Sequence, residues 1–232
     1  MKIISEYDIE QIKPQTPQSA EYLEITKKFR QMSAAFEGAI DCVMRTLKTI
    51  EQEMIESGLR IPIHSVTSRI KSPDSTRQKL ARHGLPYTID NVMNNLHDIA
   101  GVRIICKYIT DIYHVRDLLL KSDKYTFIKE KDYIKTPKPS GYRSLHLIVE
   151  TDVSVDGENK KIRCEIQLRT SAMDSWASLE HNMRYKSDLP ENEQINESLK
   201  SCAEALHNTD LEMQRIAQQL GRSEEHTSEP SH

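Results

Sequence analysis

A chain of 232 residues that is 37% hydrophobic and 29% charged, with a formal net charge of −3, has the composition of an ordinary folded protein rather than a disordered one. Its length allows one sizeable core with accessory helices, or at most two small domains. No apolar run approaches the roughly 18–20 residues that span a bilayer, and the polar start MKIISEYDIEQIK has no signal-peptide core, so a cytoplasmic protein without a membrane partner is expected. Cys42, Cys106, Cys164 and Cys202 show no CxxC spacing, and the first three sit among apolar neighbours, which reads as buried reduced thiols rather than disulfides or zinc ligands.

Residues 1–18 carry Pro14 and Pro17 and read as a loose lead-in. From Tyr22, apolar residues recur every three or four positions through Phe29, Phe36, Val43, Leu47 and Met54, which predicts one long amphipathic helix closed by Gly58. The segment SVTSRIKSPDSTRQKLARHG follows: a short strand or loop, then a helix started by Ser72-Pro73-Asp74 and stopped at Gly84. Asn91–Leu96 suggests a short helix. The β-branched run DIAGVRIICKYI predicts a buried strand with Asp98 at its leading end. Asp111–Leu120 reads as a helix, Tyr125–Lys131 and Arg143–Glu150 as strands, and Lys161–Arg169 as a further strand after a turn at 155–159. Thr170 is placed to cap a helix reaching about Tyr185. Pro190 begins a last helix with Ile195, Leu199, Leu206, Ile216 and Leu220 on one face. Four strands interleaved with helices predict a mixed β-sheet flanked by helices, an α/β or α+β fold. From Arg222 the periodicity is lost, and residues 222–232 are set aside as a disordered or artefactual tail.

Charge is unevenly spread. Between Arg60 and Lys186 there are 22 Lys+Arg against 15 Asp+Glu, while the remaining residues hold 10 against 20. A basic middle between acidic ends suggests a centrally bound anion, although a chance asymmetry of a solvated surface gives the same count.

Two carboxylates stand out because they occupy strands, where an unpaired charge is costly: Asp98 and Glu165. On neighbouring strands they could converge on one Mg²⁺, which favours one or two carboxylates plus phosphates and waters. Alternatively Glu165 pairs with Arg163 or Arg103 across the sheet. Around them, Arg69 and Lys71 face one way on an extended stretch, and Lys79 and Arg82 share a helix face. Arg103 falls opposite Asp98 by simple alternation, so a twist or bulge is needed to bring both to one site. The loop from Lys135 to His146 supplies Lys138 for phosphate, Tyr142 as an exposed stacking surface and His146 as a donor. No GxxxxGK[ST] or GxGxxG loop is present, nor a Ser/His/Asp arrangement.

The segments SRIKSPDSTRQKLARHG, HDIAGVRIIC, KPSGYRSLHL and EIQLRTSAMDSWASLEHNMRYK, in that order, resemble the small alarmone synthetases of the RelA/SpoT family, with flanking helices similar to RelQ-like members. The resemblance implies a nucleotidyltransferase-like synthetase unit at residues 59–190, between an N-terminal segment 1–58 and a C-terminal helix 191–221. It implies transfer of pyrophosphate from ATP to the ribose 3′-hydroxyl of GDP or GTP. By motif, Arg69, Lys71, Ser75, Lys79, Arg82 and Arg103 would hold ATP. Asp98 and Glu165 would bind Mg²⁺, and Glu165 would also take the proton from the attacking hydroxyl. Tyr142 would stack on guanine, Lys131, Lys138, His146 and Gln167 would contact the acceptor, and Asp174, where many relatives have Asn, would read the guanine edge. A homotetramer is implied as well, and single-stranded RNA or pppGpp stand as candidate regulatory ligands.

Two other readings compete. His97-Asp98 prompts an HD-type hydrolase, but His64, His83 and His97 do not supply a clear ligand set. A non-catalytic RNA- or nucleotide-binding module would use the basic centre and Tyr142 equally well, yet would gain nothing from paired carboxylates beside a polyanion.

Overall fold

The structure, a computed structural model, describes residues 19–155, 157–186 and 193–227. Ser19 caps helix α1 (Ala20–Gln31) by accepting from the Tyr22 N–H at 3.1 Å. Helix α2 (Ser33–Glu56) follows at once, so the single long helix expected from the spacing is two. The break lies at Met32, whose ψ of −1° tightens the turn while its N–H still reaches Lys28 and Phe29. No glycine or proline marks the break, and the three-and-four spacing runs through it undisturbed.

Strand β1 (Ile63–Ile70) leads into α3 (Pro73–Arg82), capped by the Ser72 hydroxyl, and then α4 (Ile89–Asn95), capped by Thr88. Strand β2 (Ala100–Cys106), helix α5 (Ile109–Leu120) and strands β3 (Thr126–Asp132), β4 (Leu145–Val155) and β5 (Glu158–Thr170) complete the sheet. Helix α6 (Ser171–Lys186) starts directly after β5, with the Met173 N–H on the Thr170 hydroxyl as anticipated. Helix α7 (Glu193–Thr227) closes the chain. The anticipated start at Pro190 lies outside the described residues, and α7 runs on as helix beyond Arg222, where the sequence suggested that order ends.

The fold is the expected mixed sheet with helices, with β1 as a fifth strand. Strand order is β1-β2-β5-β4-β3, with β2 and β5 parallel and every other pair antiparallel. One face is the core. Val102 and Ile104 of β2, Leu145, Leu147 and Val149 of β4, and Cys164, Ile166 and Leu168 of β5 are each at most 1% exposed. The apolar stripe of α2 lies over them, with α5 beside it. Cys106 and Cys164 are buried as expected, and burial pushes both thiols up to about 12, which keeps them unreactive. Cys42 is only partly buried. No helix among the described residues is long and apolar enough to cross a membrane.

Candidate active site

Since side chains alternate along a strand, filling one face with the core forces the intervening residues onto the other. The registers line these residues up across the whole sheet. Thr67 pairs with Arg103, Arg103 with Gln167, Gln167 with His146, and His146 with Lys131. One step along, Arg69 pairs with Gly101 and Gly101 with Glu165. Five strands thus each contribute to one polar face, and six of the anticipated site residues are placed on it by register alone.

A cleft of about 160 Å³ opens on this face, lined by Arg69, Asp98, Gly101, Arg103, Glu165 and Gln167 among others. Asp98 and Glu165 therefore line the same cleft. Alternation was expected to separate Asp98 from Arg103, but Asp98 lies two residues before β2 begins, so strand parity does not govern it, and both line the cleft. The Asp98 carboxylate accepts from Lys71 at 3.1 Å and Lys79 at 2.8 Å, through Oδ2 in each case. Burial pushes this carboxyl up, but the two ammonium groups outweigh it and hold it below its ordinary value. Its Oδ1 is buried without a partner, as is the Nε of Arg103. These are two atoms of the cleft whose hydrogen-bonding capacity the protein itself leaves unused.

Glu165 is held differently. Its Oε1 accepts from His146 Nδ1 at 3.0 Å and its Oε2 from Gln167 Nε2 at 2.7 Å. Burial raises this carboxyl, and the hydrogen bonds from His146 and Gln167 more than compensate, leaving it below the usual value. The alternative pairings are not made: Arg163 turns to Glu150 at 3.2 Å and Arg103 to Asp174 at 3.1 Å. His97 Nδ1 stands 3.1 Å from the Arg163 guanidinium, a cation that opposes the metal an HD-type centre requires there.

Among the residues expected to contact the acceptor, Tyr142 is not the exposed stacking surface anticipated. It is partly buried, with its ring centroid 6.0 Å from Tyr133, 5.9 Å from His146 and 6.5 Å from Trp176. Lys138 places its ammonium 4.7 Å from the Tyr142 ring centroid and 4.8 Å from that of Tyr133, and burial holds it below its ordinary value. Lys131 is exposed on β3. Asp174, in the first turn of α6, bridges Arg103 at 3.1 Å and Arg169 at 3.0 Å. On the other side, Ser75 takes part in capping α3 through Ser72, and Arg82 is exposed one turn beyond Lys79.

Loop geometry fixes Tyr142. The Gly141 N–H donates to the Lys138 carbonyl at 2.8 Å and Gly141 adopts φ +90°, a region that favours glycine. Helix α7 packs against this turn so closely that a Cβ at Gly141 would stand 2.7 Å from Ala203 Cβ.

The residue that sequence reasoning missed is Arg169. It is 4% exposed and makes four hydrogen bonds, to Ser144, Asp174, Tyr142 and Gln167. A signal was present: Glu165, Gln167 and Arg169 are spaced by two, between core residues Cys164, Ile166 and Leu168.

A sheet face that sets two carboxylates among converging Arg and Lys side chains defines a site for polyphosphate-bearing ligands, held by side chains rather than by a glycine-rich loop. Residues 68–189 match the family model described as the region found in RelA / SpoT proteins, and the chain belongs to this family. It is similar to the GTP pyrophosphokinase YwaC of Bacillus subtilis (strain 168), 43% identical over 184 residues that cover 78% of this chain and 87% of that protein. GTP pyrophosphokinase YjbM of the same organism is 36% identical over 155 residues, covering 67% of this chain and 72% of YjbM. In structure it is similar to small alarmone synthetase 1 from Bacillus subtilis bound to its product pppGpp. There the TM-score is 0.76 at 32% identity, with 84% of this chain and 99% of the other covered.

Proposed function

We propose that this protein is a (p)ppGpp synthetase, a GTP/GDP diphosphokinase that moves pyrophosphate from ATP to the 3′-hydroxyl of GDP or GTP and releases AMP. The observation that carries this is that Asp98 and Glu165 line one cleft, on a cation-lined face, in a chain of the RelA/SpoT family. The relatives' names, GTP pyrophosphokinase, and the pppGpp bound to a structural neighbour supply the substrates.

On this reading Arg69, Lys71, Lys79, Arg82 and Arg103 hold the ATP phosphates and base, with Ser75 beside them. Lys71 and Lys79, now on Asp98, exchange part of that contact for phosphate oxygens when ATP arrives. At about 160 Å³ the cleft is smaller than the ~300 Å³ and more that ligand pockets usually provide, so the nucleotides extend over the open sheet face. Lys131, Lys138, His146 and Gln167 contact the acceptor, Tyr142 supports its base, and Asp174 lies at the base edge.

Asp98 and Glu165 suit Mg²⁺: both supply the hard carboxylate oxygens the ion prefers, and Asp98 Oδ1 has no hydrogen-bond partner that an ion would displace. When bound, the ion neutralises charge on the transferred phosphates. The protein's own part is positioning and proton transfer. The 3′-oxygen forms a bond to the β-phosphorus of ATP as the bond from that phosphorus to the α-phosphate bridging oxygen breaks. The hydroxyl proton passes to Glu165, and AMP departs. The exposed apolar side chains Leu211, Met213, Ile216 and Leu220 of α7 support self-association, with the tetramer as the expected state, read by light scattering.

Incubation with γ-labelled ATP, GDP or GTP and Mg²⁺ tests the reading. Label must appear in a 3′-pyrophosphorylated guanine nucleotide with stoichiometric AMP. Label released as orthophosphate, with ADP, would overturn it.

A further inference from the structure

Both oxygens of Glu165 are reached from one guanidinium nitrogen by two separate chains of hydrogen bonds. Arg169 Nη2 donates to the Tyr142 hydroxyl oxygen at 2.6 Å and to Gln167 Oε1 at 3.0 Å. Along the first arm, the Tyr142 hydroxyl lies 2.8 Å from His146 Nε2, and His146 Nδ1 lies 3.0 Å from Glu165 Oε1. Along the second, Gln167 Nε2 donates to Glu165 Oε2 at 2.7 Å.

The direction of every bond follows from Arg169. A guanidinium can only donate, so the Tyr142 oxygen accepts and its own hydrogen is free for His146 Nε2. With Nε2 accepting, the imidazole hydrogen sits on Nδ1 and points at the Glu165 carboxylate. For Gln167, the carbonyl oxygen turns to Arg169 and the amide nitrogen to Glu165, which removes the ambiguity of an amide flip. Arg169 is itself held by Ser144 Oγ at 3.4 Å and Asp174 at 3.0 Å, and is 4% exposed, so it has little freedom to reorient.

We infer that Arg169 is a positioning residue that sets the orientation of Tyr142, His146 and Gln167 and through them fixes the Glu165 carboxylate towards the acceptor nucleotide. This rests on the synthetase reading above. Among the described residues assigned to ATP, Arg169 meets Arg103 alone, with which it shares Asp174 Oδ1 and which it repels, whereas its hydrogen bonds run to Tyr142 and Gln167, so its removal should be felt chiefly on the acceptor side. Misplacement of reacting groups by about 1 Å costs on the order of 10²-fold in rate.

The experiment is a double-mutant cycle on the full chain with R169M, Y142F and R169M/Y142F, reading steady-state kinetics with GDP and ATP varied separately. R169M keeps an unbranched stem in place of the Arg169 methylenes, and emission from the single tryptophan, Trp176, 6.5 Å from Tyr142, reports whether the local packing survives. For R169M the expected result is a fall of roughly 10²-fold in kcat/KM for GDP with KM for ATP within about twofold. Because the two residues share one arm, the double variant should lose less than the product of the single losses. R169K, which keeps the charge but not the planar fork, should fall between wild type and R169M. Multiplicative losses, equal rises in both KM values, or R169M within twofold of wild type would each overturn the inference. If R169M does not fold, R169K decides: unchanged GDP kinetics would overturn it and an acceptor-selective loss would sustain it. A wild-type chain that forms no 3′-pyrophosphorylated product would instead defeat the synthetase reading itself.

Discussion

Replacing Gly141 by alanine tests how the turn before Tyr142 depends on helix α7. Two costs can be worked from the structure. A side chain at φ +90° sits in the left-handed region, at about 1–2 kcal/mol. The new methyl would also lie 2.7 Å from Ala203 Cβ and 3.2 Å from Lys200 Cα, and because the second is backbone, α7 itself must move. Overpacking of this kind costs about 1–3 kcal/mol. The sum, about 2–5 kcal/mol, corresponds to a fall in Tm of roughly 4–20 °C for a domain of this size. Thermal unfolding followed by Trp176 fluorescence reads it directly, since the Trp176 indole donates to the Leu199 carbonyl of the same helix at 2.9 Å. In G141A/A203G the nearest clash is removed while the backbone strain stays, so the double variant should be more stable than additivity predicts by about 1–2 kcal/mol. A Tm for G141A within 1 °C of wild type, or strict additivity in the cycle, would refute the argument. The loop carrying Tyr142 should shift as well, raising KM for GDP more than KM for ATP.

E165Q should retain binding of GDP within a fewfold while kcat drops by about 10²–10⁴-fold, the usual contribution of a general base; a loss below tenfold would remove Glu165 from that role. Chelation with EDTA should abolish product formation and Mg²⁺ restore it, with D98N requiring more Mg²⁺ for half-maximal rate; turnover indifferent to EDTA would dismantle the metal assignment. Asp210 gives a pH test. Burial raises its carboxyl above the ordinary 3.8, the hydrogen bond from Thr170 only partly opposing this, so ionisation costs the folded state stability. That penalty is complete above the raised folded value and absent below the unfolded one. D210N, which can still accept from Thr170, should therefore raise Tm at pH 7, with the gain shrinking as pH falls through the carboxylate range. A gain that grows on acidification would contradict the sign.

Much of the site was legible because strand alternation prints directly on the sequence. Cys164, Ile166 and Leu168 alternate with Glu165 and Gln167, a pattern that sets both polar residues on one face, although Gln167 entered the site through the family resemblance. The row from Thr67 to Lys131 was not legible, because which strands become neighbours is decided by crossovers. That β2 lies beside β5, the strand more than fifty residues further on, no local pattern states. The conflict over Asp98 and Arg103 came from assuming that the strand began at Asp98, when the chain straightens only at Ala100. Tyr142 looked exposed because its burial is owed to Trp176 and Tyr133, which reach it from elsewhere. Arg169 escaped notice because four partners spread over residues 142–174 satisfy it, and a buried cation is recognised by its partners.

The row of paired residues across the sheet also guards against error. If β5 slid by a single residue against β2 and β4, Glu165, Gln167 and Arg169 would be driven into the oily interior while Ile166 and Leu168 turned outward to water. A wrongly threaded molecule would then be unstable as well as inactive, and the cell's quality control would meet it as an unfolded chain. Selection for a dry interior thereby proofreads the alignment of the reacting groups, at no separate cost to the sequence.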